Sequence, residues 1–261
     1  MIDMTDIPSG AARTHIIKPP LQEVDLSLVS PQAGQLYHLS GPGHAGRGMR
    51  PVAEHWVVEA LVRGEVVHWV DGACRIDPSR LLPALAERNA DTDACLSRLY
   101  LSRGFTLHQL DRQLERLPQE LAITRSPLVV IDGLLAMHGD DAIRRIESRV
   151  LLRRHLQVMQ DIAERQHRAV VVITESTTND SHHQRLIQCI HRHAQNHLVG
   201  HWQGSRHKRM LHLHHPRTGL RGLWRSTPKS EQTNLVLTYH PAHLQVFSAS
   251  VGCLPLLHEK R

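Results

Sequence analysis

At 261 residues with 41% hydrophobic side chains, the chain can bury a sizeable core, which excludes wholesale disorder and predicts one α/β domain or two small ones. Its 31 Lys and Arg against 25 Asp and Glu give a net charge of +6 and a pI near 9.5, a balance that favours an anionic partner without identifying it. No apolar run reaches the roughly 18 residues needed to span a bilayer, and the acids within Met1 to Gly10 do not suit a signal peptide, so the expectation is a cytoplasmic protein with no membrane partner.

Residues 1–20 lack any period and end at Pro19-Pro20, which reads as an N-terminal arm ahead of a single domain over residues 21–261. From Gln35 short β-rich runs alternate with helical patterns. A strand over Gln35 to Leu39 leads through glycines to a helix over Pro51 to Arg63, with Pro51 suited to a first turn. Strand Val66 to Val70, helix Pro78 to Arg88, strand Leu96 to Leu101 and helix Thr106 to Leu117 follow, with Thr106 as N-cap. Leu128 to Ile131 and Ala169 to Thr174 are all-apolar runs of the kind buried on both faces of a parallel sheet, joined by a long helix over Asp141 to Gln166. After the polar stretch Glu175 to Ser181, a His-crowded helix is expected over Ser181 to His197, then hairpins pairing Lys208 to His214 with Leu220 to Ser226 and Asn234 to Thr238 with Leu244 to Ser248. A mostly parallel sheet flanked by helices, with antiparallel C-terminal strands, is the predicted α/β architecture.

The turn between the first strand and first long helix reads Gly41-Pro42-Gly43-His44-Ala45-Gly46-Arg47-Gly48, the Gly-x4-Gly spacing of a P-loop that wraps nucleotide phosphates with backbone N–H groups. The loop lysine is replaced by Arg47 and the magnesium-binding hydroxyl by Gly48. A plain strand-to-helix turn would use the same glycines. Leu128-Val129-Val130-Ile131-Asp132 has the apolar run and terminal aspartate of a Walker B strand.

From about Gly34 to Pro228 the order of these pieces resembles the ATPase core of the RecA/RadA recombinases, especially their paralogues. Trp69 to Leu81 resembles the family's strand followed by Asp-Thr-Glu-Gly and Pro-x-Arg-Leu, and Ser226-Thr227-Pro228 its C-terminal strands. The resemblance implies a RecA-like P-loop NTPase core. It marks Gly41, Gly43, Gly46, Arg47, Gly48 and Asp132 as a degenerate nucleotide site, and places Ala73 where the water-polarising glutamate belongs. A methyl group orients no water, so no catalytic residue is assigned and at most weak ATP or ADP binding is expected. Two DNA-facing loops are implied, near Met137 to Asp141 and within Glu175 to Gly200.

Ten of the 22 histidines fall between His182 and His215. Protonating all 22 would take the charge from +6 towards +28, so anion binding should strengthen as pH falls from about 8 to about 6. Pairs such as His191 with His193, or His212 with His214 and His215, have no partnering Cys or acidic cluster, and no metal site is read from them. Cys74, Cys95, Cys189 and Cys253 are spaced 21, 94 and 64 positions apart, with no CxxC pair or disulfide framework. Arg185, Arg192, Arg206, Lys208 and Arg209 accompany the histidines where the resemblance puts the second loop, and are candidate contacts to single-stranded DNA; a solvated basic face is the alternative. The pairs Arg144-Arg145 and Arg153-Arg154 read as helix-surface charge or a protein contact. The function expected is that of a non-catalytic, nucleoid-associated subunit in DNA recombination or repair, partnered by a recombinase-like chain. A nucleotide-dependent enzyme completed in trans and a protein-only adaptor for a translesion polymerase are the alternatives.

Overall fold

The all-apolar runs are central strands. In the computed structural model, which describes residues 30–204, 210–216 and 220–224, eight strands form one sheet in the order β3-β2-β4-β5-β1-β6-β7-β8. These are β1 (Leu36–Gly41), β2 (Val67–Asp71), β3 (Leu99–Arg103), β4 (Leu128–Asp132), β5 (Ala169–Glu175), β6 (Asn196–Gln203), β7 (Met210–His215) and β8 (Leu220–Trp224). The first six run parallel, whereas β7 and β8 are antiparallel to their neighbours. Every residue of β1, β2 and β4 is buried, because helices cover both faces.

On one face α1 (Arg50–Val62), α2 (Leu82–Glu87) and α3 (Thr92–Leu96) pack Val57, Leu61 and Leu85 against Trp69 and Val130. On the other, α4 (Leu107–Thr124), α5 (Arg145–Glu164) and α6 (Ser181–His193) bring Leu114, Leu156 and Leu186 to Val129 and Val172. Among the described residues no helix is long and apolar enough to cross a membrane.

Three elements differ from the sequence expectation. α4 continues through Pro118 to Thr124 because the stripe Leu110, Leu114, Leu117 and Leu121 is fully buried. An interior proline costs about 3 kcal/mol, and burying Leu117 and Leu121 returns about 1.5–3 kcal/mol each. The expected helix through His197 stops at His193, where Ala194 turns extended at ψ 135; the remainder is β6, whose Asn196, Leu198 and Gly200 face inward. α3, capped by Asp91 accepting from Ala94 N at 3.1 Å, is also additional. The N-terminal arm and the hairpin over Asn234 to Ser248 lie outside the described residues.

Candidate functional site

The strand register gathers the acids and the glycine turn at the carboxyl edge of the sheet, where open α/β sheets build their sites. Asp71 pairs directly with Asp132, and Gly41 with Glu175. The glycine spacing has a steric basis: Gly46 sits at φ +70, and a Cβ there would come within 2.1 Å of the Thr174 carbonyl oxygen. A Cβ on Gly48 would lie 2.8 Å from the Pro42 carbonyl oxygen. The turn is therefore packed onto β5. Its donors are turned inward, with Gly46 N–H bonded to Gly43 O at 2.9 Å and Gly48 N–H to Pro42 O at 3.0 Å. Arg47 is exposed, and its stem folds back over Gly43, 2.9 Å from where a Cβ would stand. Beside the turn lies an open cleft of about 320 Å³ between Gly41 to Ala45 and Glu175 to Thr178. An acid lines that cleft. Burial pushes the Glu175 carboxyl up, but the hydrogen bond from His183 and its own backbone outweigh this and hold it below the usual carboxylate range.

Asp132 is fully buried and its partner is internal: Arg50 Nε lies 2.5 Å from its Oδ2, with the arginine side chain only 6% exposed. Neither carboxylate oxygen completes an aligned hydrogen bond, so the contact is a charge pair. Burial pushes Asp132 up to about 6, with Arg50 pulling it back down and Asp71 and Glu54 adding to the rise. Asp71, also fully buried, is held by Arg103 Nε at 3.1 Å and by the Ile76 N–H at 2.8 Å. Burial raises Glu54, opposed by Arg80 at 3.1 Å and by Arg50. Asp71, Asp132 and Glu54 thus each have a guanidinium beside them, whereas Glu175 is held by His183.

A magnesium ion, which a P-loop core implies, does not fit these residues. Gly48 offers no oxygen ligand, the Asp132 charge is spent on Arg50, and no acid stands at Ala73. That side chain is 9% exposed and packs so close to Gly133 that a Cβ on the glycine would stand 2.6 Å from the Ala73 Cβ and 3.2 Å from that of Ala45. Small residues, Ala73, Gly133 and Ala45, meet at this point.

The residues expected to meet DNA divide. Arg185 and Arg192 are exposed on α6, whereas Arg206, Lys208 and Arg209 lie outside the described residues. The segment Glu175 to Gly200 is largely α6 and β6, leaving 176–180 and 194–195 as loop. The basic residues that are described therefore ride on a helix. The α5 arginines read from the sequence as surface charge, yet Arg145 and Arg149 add to the lowering that burial causes at His182, and Arg153 and Arg192 pull the Cys189 thiol down against the larger rise from burial. The signal was the i, i+4, i+8 spacing of Arg145, Arg149 and Arg153. Arg154 instead pairs with Asp111, which also contacts His155 Nε2 at 3.1 Å.

The expected pH response is corrected by burial. His182, His212 and His214 are lowered from the ordinary imidazole value by burial first, and His197 is lowered to about 4 by burial and His191. His183 is occupied by Glu175. The His-rich segment is in good part sheet and helix interior. Of the suggested pairs, His193 bonds the carbonyl of Cys189 in its own helix at 2.8 Å, while His191 turns to His197.

An α/β core with a glycine turn after β1, aspartate at the end of β4 and a sheet order 3-2-4-5-1-6-7-8 defines a RecA-like protein. The family model described as Rad51 matches residues 60–213, more than half the chain, and the protein belongs to this recombination and repair family. No curated protein matches it. The matched range holds Ala73, Asp132, Arg185 and Arg192, and the glycine turn lies ahead of it.

Proposed function

We infer that this protein is a RecA-like recombination or repair subunit that does not hydrolyse nucleotide, works beside another recombinase-like chain, and holds single-stranded DNA along the α5–α6 ridge. One observation carries the reading: the Arg50 guanidinium is the counter-ion of Asp132. A built-in cation removes both the need for magnesium and the room for it. Phosphoryl transfer depends on positioning and charge stabilisation that the family's lysine, hydroxyl, metal and glutamate supply together. Without them the fold is kept for docking, and the recombinase-like partner supplies any chemistry. The site of action in this reading is the nucleoid.

The DNA contact is electrostatic and sequence-tolerant, since Arg145, Arg149, Arg185 and Arg192 are exposed and phosphate contacts carry little sequence information. Oligonucleotide binding titrated against salt is the test. Arg185→Ala/Arg192→Ala should reduce the log–log slope by about 1.4, because each phosphate contact on a single strand contributes about 0.7. A folded double variant with the parent's affinity and slope would move binding elsewhere and favour a protein-only adaptor.

A further inference from the structure

Three histidines from three different elements meet on the α6 side of the sheet. His38 lies in β1 and His197 directly opposite it in β6, while His191 comes from the last turn of α6. One ring nitrogen from each lies within 4.8 Å of those of the other two. The His191 and His197 rings stack with centroids 3.7 Å apart, and the His38 ring meets each edge-on at 6.0 Å.

Hydrogen-bond accounting settles the His38 tautomer. The Thr174 hydroxyl has one proton and gives it to the Glu175 carbonyl at 3.0 Å, so towards His38 Nε2, 2.8 Å away, it can only accept. Nε2 therefore carries the hydrogen and Nδ1 keeps its lone pair. That Nδ1 is buried and makes no hydrogen bond, and the same holds for His197 Nδ1. A metal-binding histidine whose other nitrogen donates to a fixed oxygen is the arrangement that orients a ligand ring.

We propose that His38, His191 and His197 bind one divalent transition-metal ion, with Zn²⁺ the best match. Three nitrogen donors and no oxygen ligand disfavour Mg²⁺ and Ca²⁺. At Zn–N distances of about 2.0–2.1 Å, tetrahedral nitrogens stand about 3.3 Å apart, so the rings close by about 1.5 Å or less. His38 is buried while His191 is exposed, so the fourth position opens to solvent on the α6 side and takes water. The ion ties the C-terminal turn of α6, with Arg192, to the two strands beneath it.

Untagged protein, stripped with chelator, is titrated with Zn²⁺ by calorimetry and with Co²⁺ by visible absorption. The parent should take up one equivalent, give the visible bands of tetrahedral Co²⁺, and lose them on adding Zn²⁺. His191→Ala alters an exposed side chain, so its circular dichroism in chelator should match the parent while its affinity falls by about 100-fold or more. Thr174→Val leaves all three ligands in place and should weaken binding by about 10–100-fold, the usual cost of losing an outer hydrogen bond. His193→Ala and His212→Ala should bind as the parent does. Only weak multi-site uptake by the parent, an unchanged His191→Ala, or a loss spread equally over the control variants would overturn the proposal.

Discussion

Replacing Arg50 with methionine keeps much of the side chain's volume and removes the cation that sits 2.5 Å from Asp132. With charge centres about 4 Å apart and an effective dielectric near 20, the attraction removed is about 4 kcal/mol. The loss is not recovered from water, because Asp132 is 0% exposed and stands beside Asp71 in the strand register. Breaking one partner out of such a pair costs about 3–5 kcal/mol, or roughly 6–20 °C in Tm for a domain of this size. The effect has a pH signature. Asp132 is raised to about 6 even with Arg50 present, so without the guanidinium it titrates higher still. A carboxyl whose folded pKa is raised favours the native state at low pH and loses that contribution as pH rises through the folded value. The Arg50→Met defect should therefore be largest near pH 8 and shrink towards pH 5. Arg50→Met/Asp132→Leu should return to within about 1 kcal/mol of the parent, since well-packed apolar groups replace buried ion pairs at little cost. Urea denaturation across this pH range is the assay. An Arg50→Met curve within about 0.5 kcal/mol of the parent at pH 8, or a double variant no better than the single, would refute the pairing.

Mild acid should destabilise the protein. Burial lowers His68 to about 4, His138 to about 3 and His155 to about 4; groups depressed in this way stabilise the native state above the unfolded pKa of about 6.5 and cease to as pH falls below it. Between pH 7 and 5 the three together remove about 6 kcal/mol, against about 1 kcal/mol returned by Asp132, a large share of a typical stability of about 5–15 kcal/mol. Equal denaturation midpoints at pH 7 and 5 would contradict this. For single-stranded DNA, the gain in affinity between pH 8 and 6 should fall short of what free imidazoles would give, because burial lowers His182, His212 and His214 and takes His197 to about 4; a steep gain on acidification would return those histidines to the phosphate contacts.

Much of this architecture is legible in the sequence because its central strands are buried on both faces: Leu128 to Ile131 and Ala169 to Thr174 carry no polar side chain before their ends. Thr106 reads as an N-cap and is one, accepting from Gln109 N at 3.2 Å. Where the pattern fails, tertiary burial overrides a local rule. Pro118 signals a stop, yet Leu121 carries α4 past it. The polar crowding from His191 to His197 conceals a strand whose inward residues are Asn196 and Leu198. The site was legible in outline, through the glycine spacing and Asp132, but not in its decisive contact. Arg50 precedes a proline at a helix start, where a cation opposes the helix dipole and so calls for an acid; that acid, Asp132, is far away in sequence and adjacent only in the fold. The histidine cluster is hidden for the same reason, since His38 in β1 is far in sequence from His191 in α6 and His197 in β6.

If the internal guanidinium of Arg50 stands in for magnesium at Asp132, nucleotide handling should not depend on magnesium. ATP binding by calorimetry and phosphate release are measured together, with Mg²⁺ or with chelator, and with or without single-stranded DNA. Phosphate release should stay at the no-protein background in every condition, for the parent and for Ala73→Glu alike, because groups that act as a unit are not restored one at a time. Any ATP affinity should be the same with and without Mg²⁺. Binding that tightens with Mg²⁺, together with turnover abolished by Asp132→Ala, would contradict that role for Arg50.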